Sequence, residues 1–190
     1  MAEEKKFKEA SEKATEILEK ISYYGSDEKV VSTDAVISAI EKEHNLKINV
    51  YGMDFSDMSG DLGEYGAIME TEGQNVNIYL NTEKEPMFQR FSLAHELGHL
   101  VCEKIFNTSG KRNVVLSTHI DYKITSYPEE DYTSSDDLLK EQAANVFALK
   151  LLMPEKQLKA VANKYKISSI IGEYFGVSKD AVNSALTLKI

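Results

Sequence analysis

Residues 91–103 read FSLAHELGHLVCE, placing His95 and His99 four positions apart with Glu96 directly after the first histidine. On a helix, positions i and i+4 share a face about one turn apart, so two imidazoles at this spacing can aim at one ion. The polar positions of the same helix test that reading. At 100° per residue, Gln89, Ser92, His95, Glu96, His99 and Glu103 fall within an arc of roughly 120°. Leu93, Ala94, Leu97, Gly98, Leu100, Val101 and Cys102 fill most of the remainder. Two histidines merely satisfied in a core would be scattered among those apolar positions. A single polar stripe predicts instead a helix buried on every side but one, with the histidines facing a cleft.

Working outward, the H-E-x-x-H spacing is that of zinc hydrolases, in which the glutamate acts on water at the metal. Zinc is the expected ion, although histidine and carboxylate donors also accept manganese or iron. A catalytic zinc takes three protein ligands and keeps a fourth position open. His44 and His119 have no supporting pattern. Glu141 is the better third ligand, because it shares a helix face with Leu138, Ala144, Ala148 and Leu152. A carboxylate on an apolar face costs several kcal/mol unless a cation compensates it. The alternative compensation is an ion pair with Arg90 or a lysine. Asn145, one turn further on, can accept a hydrogen bond from the outer nitrogen of a ligand histidine; a plain helix–helix contact is the competing role.

The flanking sequence predicts a mostly helical α+β fold: a single domain, 1–190, with a small three-stranded sheet beside the H-E-x-x-H helix. Residues 1–45 hold N-terminal helices. Phe7, Ala10, Ala14, Ile17, Leu18 and Ile21 mark the apolar stripe of the first, and Ser32 or Thr33 caps the second. Residues 46–106 hold the sheet and the histidine helix. LKINVY reads as a strand, GAIMETEGQNVNIYLN as a hairpin turning at Glu72 and Gly73, and Pro86 as the first turn of the helix. Residues 107–136 form a long polar loop or flap, with a possible strand in NVVLSTHIDYKI. Residues 137–190 carry the Glu141 helix, which stops at Pro154, and two or three short helices.

Composition narrows the function classes. A formal charge of -9 and just two arginines, Arg90 and Arg112, argue against direct nucleic-acid binding and suit a basic protein partner. The tail SSIIGEYFGVSKDAVNSAL has helix-turn-helix spacing, with Gly176 at the turn and Ser178 as a cap. Its second helix offers only Lys179 and Asn183 beside Asp180, poor equipment for DNA. A single cysteine, Cys102, and the lack of an apolar N-terminal run predict a cytoplasmic protein without a membrane span.

Taken together, RFSLAHELGHL and EQAANVFALKLLMP resemble the ImmA/IrrE family of metallopeptidases. There, a basic-aromatic lead-in precedes H-E-x-x-H, and a second helix carries E-x-x-A-N-x-F-A before L-L-M-P. The hairpin ending in Asn81 and the tail EYFGVSKDAVNSAL also look like family features, so the resemblance spans residues 65–190. It implies that His95, His99 and Glu141 bind the metal and that Glu96 is the catalytic base. It also implies a substrate: a helix-turn-helix repressor whose cleavage releases mobile-element or stress genes. The long segment between the two motifs departs from the family pattern. From it, His119, Tyr122, Tyr127 and Tyr132 are candidates to steady the oxyanion, and the substrate is expected as an extended strand against an edge at residues 75–81. The alternative function is a metal-binding anti-repressor, or a toxin–antitoxin type interaction protein, that does not cut.

Overall fold

The computed structural model describes residues 2–25, 30–56, 65–102, 114–116 and 135–188. Among them are seven α-helices and a small mixed sheet, a mostly helical α+β arrangement as the sequence predicts. Helix α1 spans Ala2–Lys20 and buries Ala10, Ala14, Ile17 and Leu18 along the expected stripe. A short 3-10 turn, Tyr23–Gly25, follows it. Helix α2, Thr33–His44, is capped by Ser32, whose hydroxyl accepts from the Ala35 N–H at 3.3 Å, and it ends on Asn45 in the left-handed region.

Strands β1 (Lys47–Met53), β2 (Ala67–Glu72) and β3 (Asn75–Asn81) form the body of the sheet. The hairpin turn lies at Gly73 and Gln74, one residue later than the sequence pattern suggests, because Glu72 pairs with Asn75 and Gly73 supplies the positive φ of 62°. A three-residue strand β4, Val114–Leu116, adds antiparallel to β2, within the stretch where a further strand is expected. The order is β1-β3-β2-β4, with β1 parallel and β2 antiparallel to β3.

This order overturns one expectation. Residues 75–81 are no edge: β3 lies in the sheet interior, its main-chain groups taken by β1 on one side and β2 on the other. A peptide cannot be laid along it.

The active-pattern helix α3, Pro86–Cys102, begins with proline at its first position as expected and packs on β2, β3 and, most extensively, helix α4 (Ser135–Leu152). Helix α1 lies along α4 on another side. Arg90 fastens α3 to its surroundings, donating from Nη2 to the Val31 carbonyl at 2.6 Å. The chain closes with α5 (Glu155–Tyr165), α6 (Ser168–Phe175) and α7 (Lys179–Thr187). Gly176 at φ 67° ends α6, and Ser178 caps α7 by accepting from the Ala181 N–H at 3.1 Å. One continuous core joins α1, α2, the sheet, α3, α4 and the closing helices. Among the described residues no helix is long and apolar enough to cross a membrane.

Candidate metal centre

Two helices build the site, and a glycine sets how near they come. A Cβ on Gly98 would stand 3.0 Å from the Ala144 carbonyl oxygen, 3.1 Å from Ala144 Cα and 3.2 Å from a ring carbon of Phe147. With hydrogen alone at that position, the α3 backbone sits against α4 and the short side chains of both helices can meet. This is a role for the central glycine of HELGH that spacing does not reveal; its signal is the small residue Ala144 opposite it in EQAAN.

Between the helices the side chains converge on one point. His95 Nε2 lies 2.9 Å from His99 Nε2 and 3.1 Å from Glu141 Oε2, and His99 Nε2 lies 3.3 Å from Glu141 Oε1. Among the described residues, these three form the group of side chains able to share an ion. Their separations are close to the roughly 3.3 Å that two donors keep on a tetrahedral zinc with bonds of about 2.0–2.1 Å.

The outer nitrogen of His95 fixes the chemistry of the inner one. His95 Nδ1 is 2.8 Å from Asn145 Oδ1. An amide oxygen only accepts, so the ring proton sits on Nδ1 and Nε2 presents a bare lone pair. That lone pair faces a carboxylate oxygen of Glu141. Two acceptors at this distance repel unless a proton or a cation lies between them. Burial by itself would drive the Glu141 carboxyl upward, but the charge of His99 and its hydrogen bond outweigh it and hold the group well below the ordinary carboxylate range. The donor set is therefore one that fits a divalent cation, and the formal charges of Glu141 and Glu96 would match it.

The polar stripe of α3 is less open than a cleft wall. Ser92, His95 and Glu96 are all buried, Glu96 with no exposure and His95 at 6%, while His99 and Glu141 retain a little. The helix is thus enclosed on its polar side as well, because α4 with Glu141 and Asn145 lies against it. Arg90, a rival partner for Glu141 on the sequence, is committed instead to Val31. His44 ends α2 and does not belong to the ion-sharing group. His119, Tyr122, Tyr127 and Tyr132 lie outside the described residues.

A small helical α+β protein that brings two histidines of an H-E-x-x-H helix against a glutamate of a neighbouring helix belongs in class with the metallopeptidases. The family model of the IrrE N-terminal-like domain, peptidase M78, matches residues 44–187, and the chain belongs to that family. The match reaches some twenty residues further towards the N-terminus than the sequence motifs alone, taking in β1. No curated protein matches the chain.

Proposed function

We propose that the protein is a zinc-dependent endopeptidase that makes a site-specific cut in a helix-turn-helix repressor. The observation that carries the peptidase reading is the convergence of His95 Nε2, His99 Nε2 and the Glu141 carboxylate beside a fully buried Glu96. His95, His99 and Glu141 would hold the zinc, a ligand set of the gluzincin kind. When bound, the ion supplies a Lewis acid for the scissile carbonyl and brings the pKa of water towards about 7.

The chain's own groups do the rest. Asn145 keeps the His95 ring in the tautomer and orientation that leave Nε2 free to bind. Glu96 takes a proton from the attacking water and returns it to the departing amine nitrogen. Glu141 contributes charge to the donor set and no proton transfer.

A repressor substrate is supported by family membership and by the chain's own acidity, a formal charge of -9 that suits a basic, DNA-binding partner. Relief of mobile-element or stress genes would follow from that cut. The test is a mass-spectrometric survey of new protein N-termini in cells making the chain or its Glu96→Gln variant. The expected result is a fragment of a helix-turn-helix protein seen only with the unaltered chain, while both purified proteins bind one zinc. Identical N-termini in both samples would discard proteolysis in favour of a metal-binding anti-repressor that does not cut.

A further inference from the structure

With β3 interior, the question of where an extended partner could pair passes to β1, the outer strand on the far side of the sheet from β4. The direction of its main-chain groups is readable. The Lys47 N–H donates to Gln74 O at 2.7 Å, and the Met53 carbonyl accepts from the Thr82 N–H at 2.9 Å. In a parallel ladder both groups of a residue point to the same neighbour and alternate along the strand. Lys47, Asn49, Tyr51 and Met53 therefore bond towards β3, and Ile48, Val50 and Gly52 point outward.

One of those outward donors is occupied. The Ile48 N–H donates to Glu41 Oε1 at 2.8 Å, which blunts the start of the edge. Among the described residues nothing pairs with the outward groups of Val50 and Gly52. The devices that usually protect an edge are sparse here: KINVYGM holds no proline and a single charge, Lys47, at its end. Val50, Tyr51 and Met53 are 36%, 47% and 38% exposed.

The side chains around this edge favour one kind of occupant. On the outer face Tyr51 stacks on Tyr79, with centroids 5.5 Å apart and planes 25° from parallel. The Tyr79 hydroxyl reaches Glu70 Oε2 at 3.4 Å, and no basic side chain among the described residues pairs with that carboxylate. Glu41 lies at one end of the edge and Asp54 follows the other. Aromatic faces beside carboxylates attract guanidinium and ammonium groups. A second copy of this chain, itself at -9, would meet like charge.

We propose that β1 is a docking strand for an extended, arginine- or lysine-bearing segment of the protein substrate. The segment pairs with the outward main chain of Val50 and Gly52 and lays a cationic side chain over Tyr51 towards Glu70. Calling the occupant a substrate rests on the peptidase reading; the open edge does not.

The test uses the full chain carrying Glu96→Gln and loaded with zinc, so that binding is read without cutting. The probe is a fluorescein-labelled synthetic peptide of alternating arginine and threonine, with its glutamate–threonine counterpart as control. Fluorescence anisotropy gives affinity, and hydrogen exchange locates the contact. The expected result is binding of the arginine peptide alone, with slowed exchange in residues 47–53. Val50→Pro should weaken it about tenfold, because it deletes an outward donor and crowds the edge without touching a β1–β3 bond. Tyr51→Ala should weaken it about threefold, and serves as the independent variant should Val50→Pro unfold.

Absence of binding, protection elsewhere, equal binding of the glutamate peptide, or indifference to both substitutions overturns the proposal. So does self-association, in analytical ultracentrifugation, that Val50→Pro abolishes, since the edge then belongs to a second copy. Binding here by a protein that never cuts sinks the peptidase reading alone, and cutting that needs no β1 edge sinks this one alone.

Discussion

Gly98 and Ala144 touch backbone to backbone: a methyl group on the glycine would stand 3.0 Å from the alanine's carbonyl oxygen. That oxygen belongs to a helix and cannot swing aside as a side-chain tip could. Gly98→Ala should therefore push α3 and α4 apart, costing about 1–3 kcal/mol of stability, as overpacking does. Because His95 and His99 flank the glycine and Glu141 precedes Ala144, zinc affinity should fall at least about tenfold. Thermal melting of the metal-free chain and a chelator-competition titration read the two effects separately. A variant that melts lower but binds zinc undiminished would show that the contact holds the fold without setting the site.

Asn145→Ala leaves the His95 Nδ1 proton without its acceptor at 2.8 Å. Zinc affinity should drop by about 10–100-fold while helix content stays the same. Asn145→Asp, which keeps an oxygen at that position, should recover most of the loss. Competition titration on both variants distinguishes an orienting hydrogen bond from simple packing, since packing would not separate alanine from aspartate in this order.

Cys102 closes α3 in an apolar setting, and burial pushes its thiol up to about 12, with Lys13 opposing weakly. At pH 8 almost none of it is thiolate, and the thiolate is the reactive form. The native chain should resist iodoacetamide at that pH and be labelled at once in denaturant. Intact-mass spectrometry decides; rapid labelling of the folded chain would mean that the end of α3 opens readily.

Lys20 and Glu43 link α1 to α2. The hydrogen bond from Lys20 holds the Glu43 carboxyl below its ordinary 4.5, with burial opposing. A depressed folded-state value stabilises above the unfolded pKa and is lost as pH falls through the folded one. Both side chains are partly exposed, so the contribution is about 0.5 kcal/mol or less. Glu43→Gln should lower the melting temperature by about 1–2 °C at pH 7, and the difference should shrink as pH falls below the ordinary carboxylate value of 4.5. A constant difference across that range would remove the ion pair as its cause.

The sequence states its helices and its ion-sharing side chains openly, since both follow from spacing along one element. His95, His99 and Glu141 could be brought together on paper because each helix repeats every 3.6 residues and Glu141 is out of place on an apolar face. Asn145 followed from its turn. The parallel pairing of β1 with β3 could not be read this way, because pairing partners depend on chain paths between strands. Residues 75–81 look as much like an edge as Lys47–Met53 does, and only their neighbours decide. The enclosure of Glu96 was hidden for a related reason. A polar stripe looks alike whether it borders water or another helix, and Gly98, which lets that helix come so near, carries no side chain to signal it.

Helix α1 lies wholly before residue 44, where the family match begins, yet it packs along α4, the helix that carries Glu141 and Asn145. Kinship and self-sufficiency therefore end at different residues. A recombinant fragment trimmed to the recognisable portion would lose Ala10, Ala14, Ile17 and Leu18 from the core and leave one flank of α4 bare. Such a fragment would be apt to clump, and its inactivity would say nothing about the chemistry. Any survey that isolates this kind of protein by its shared segment should begin upstream of Phe7.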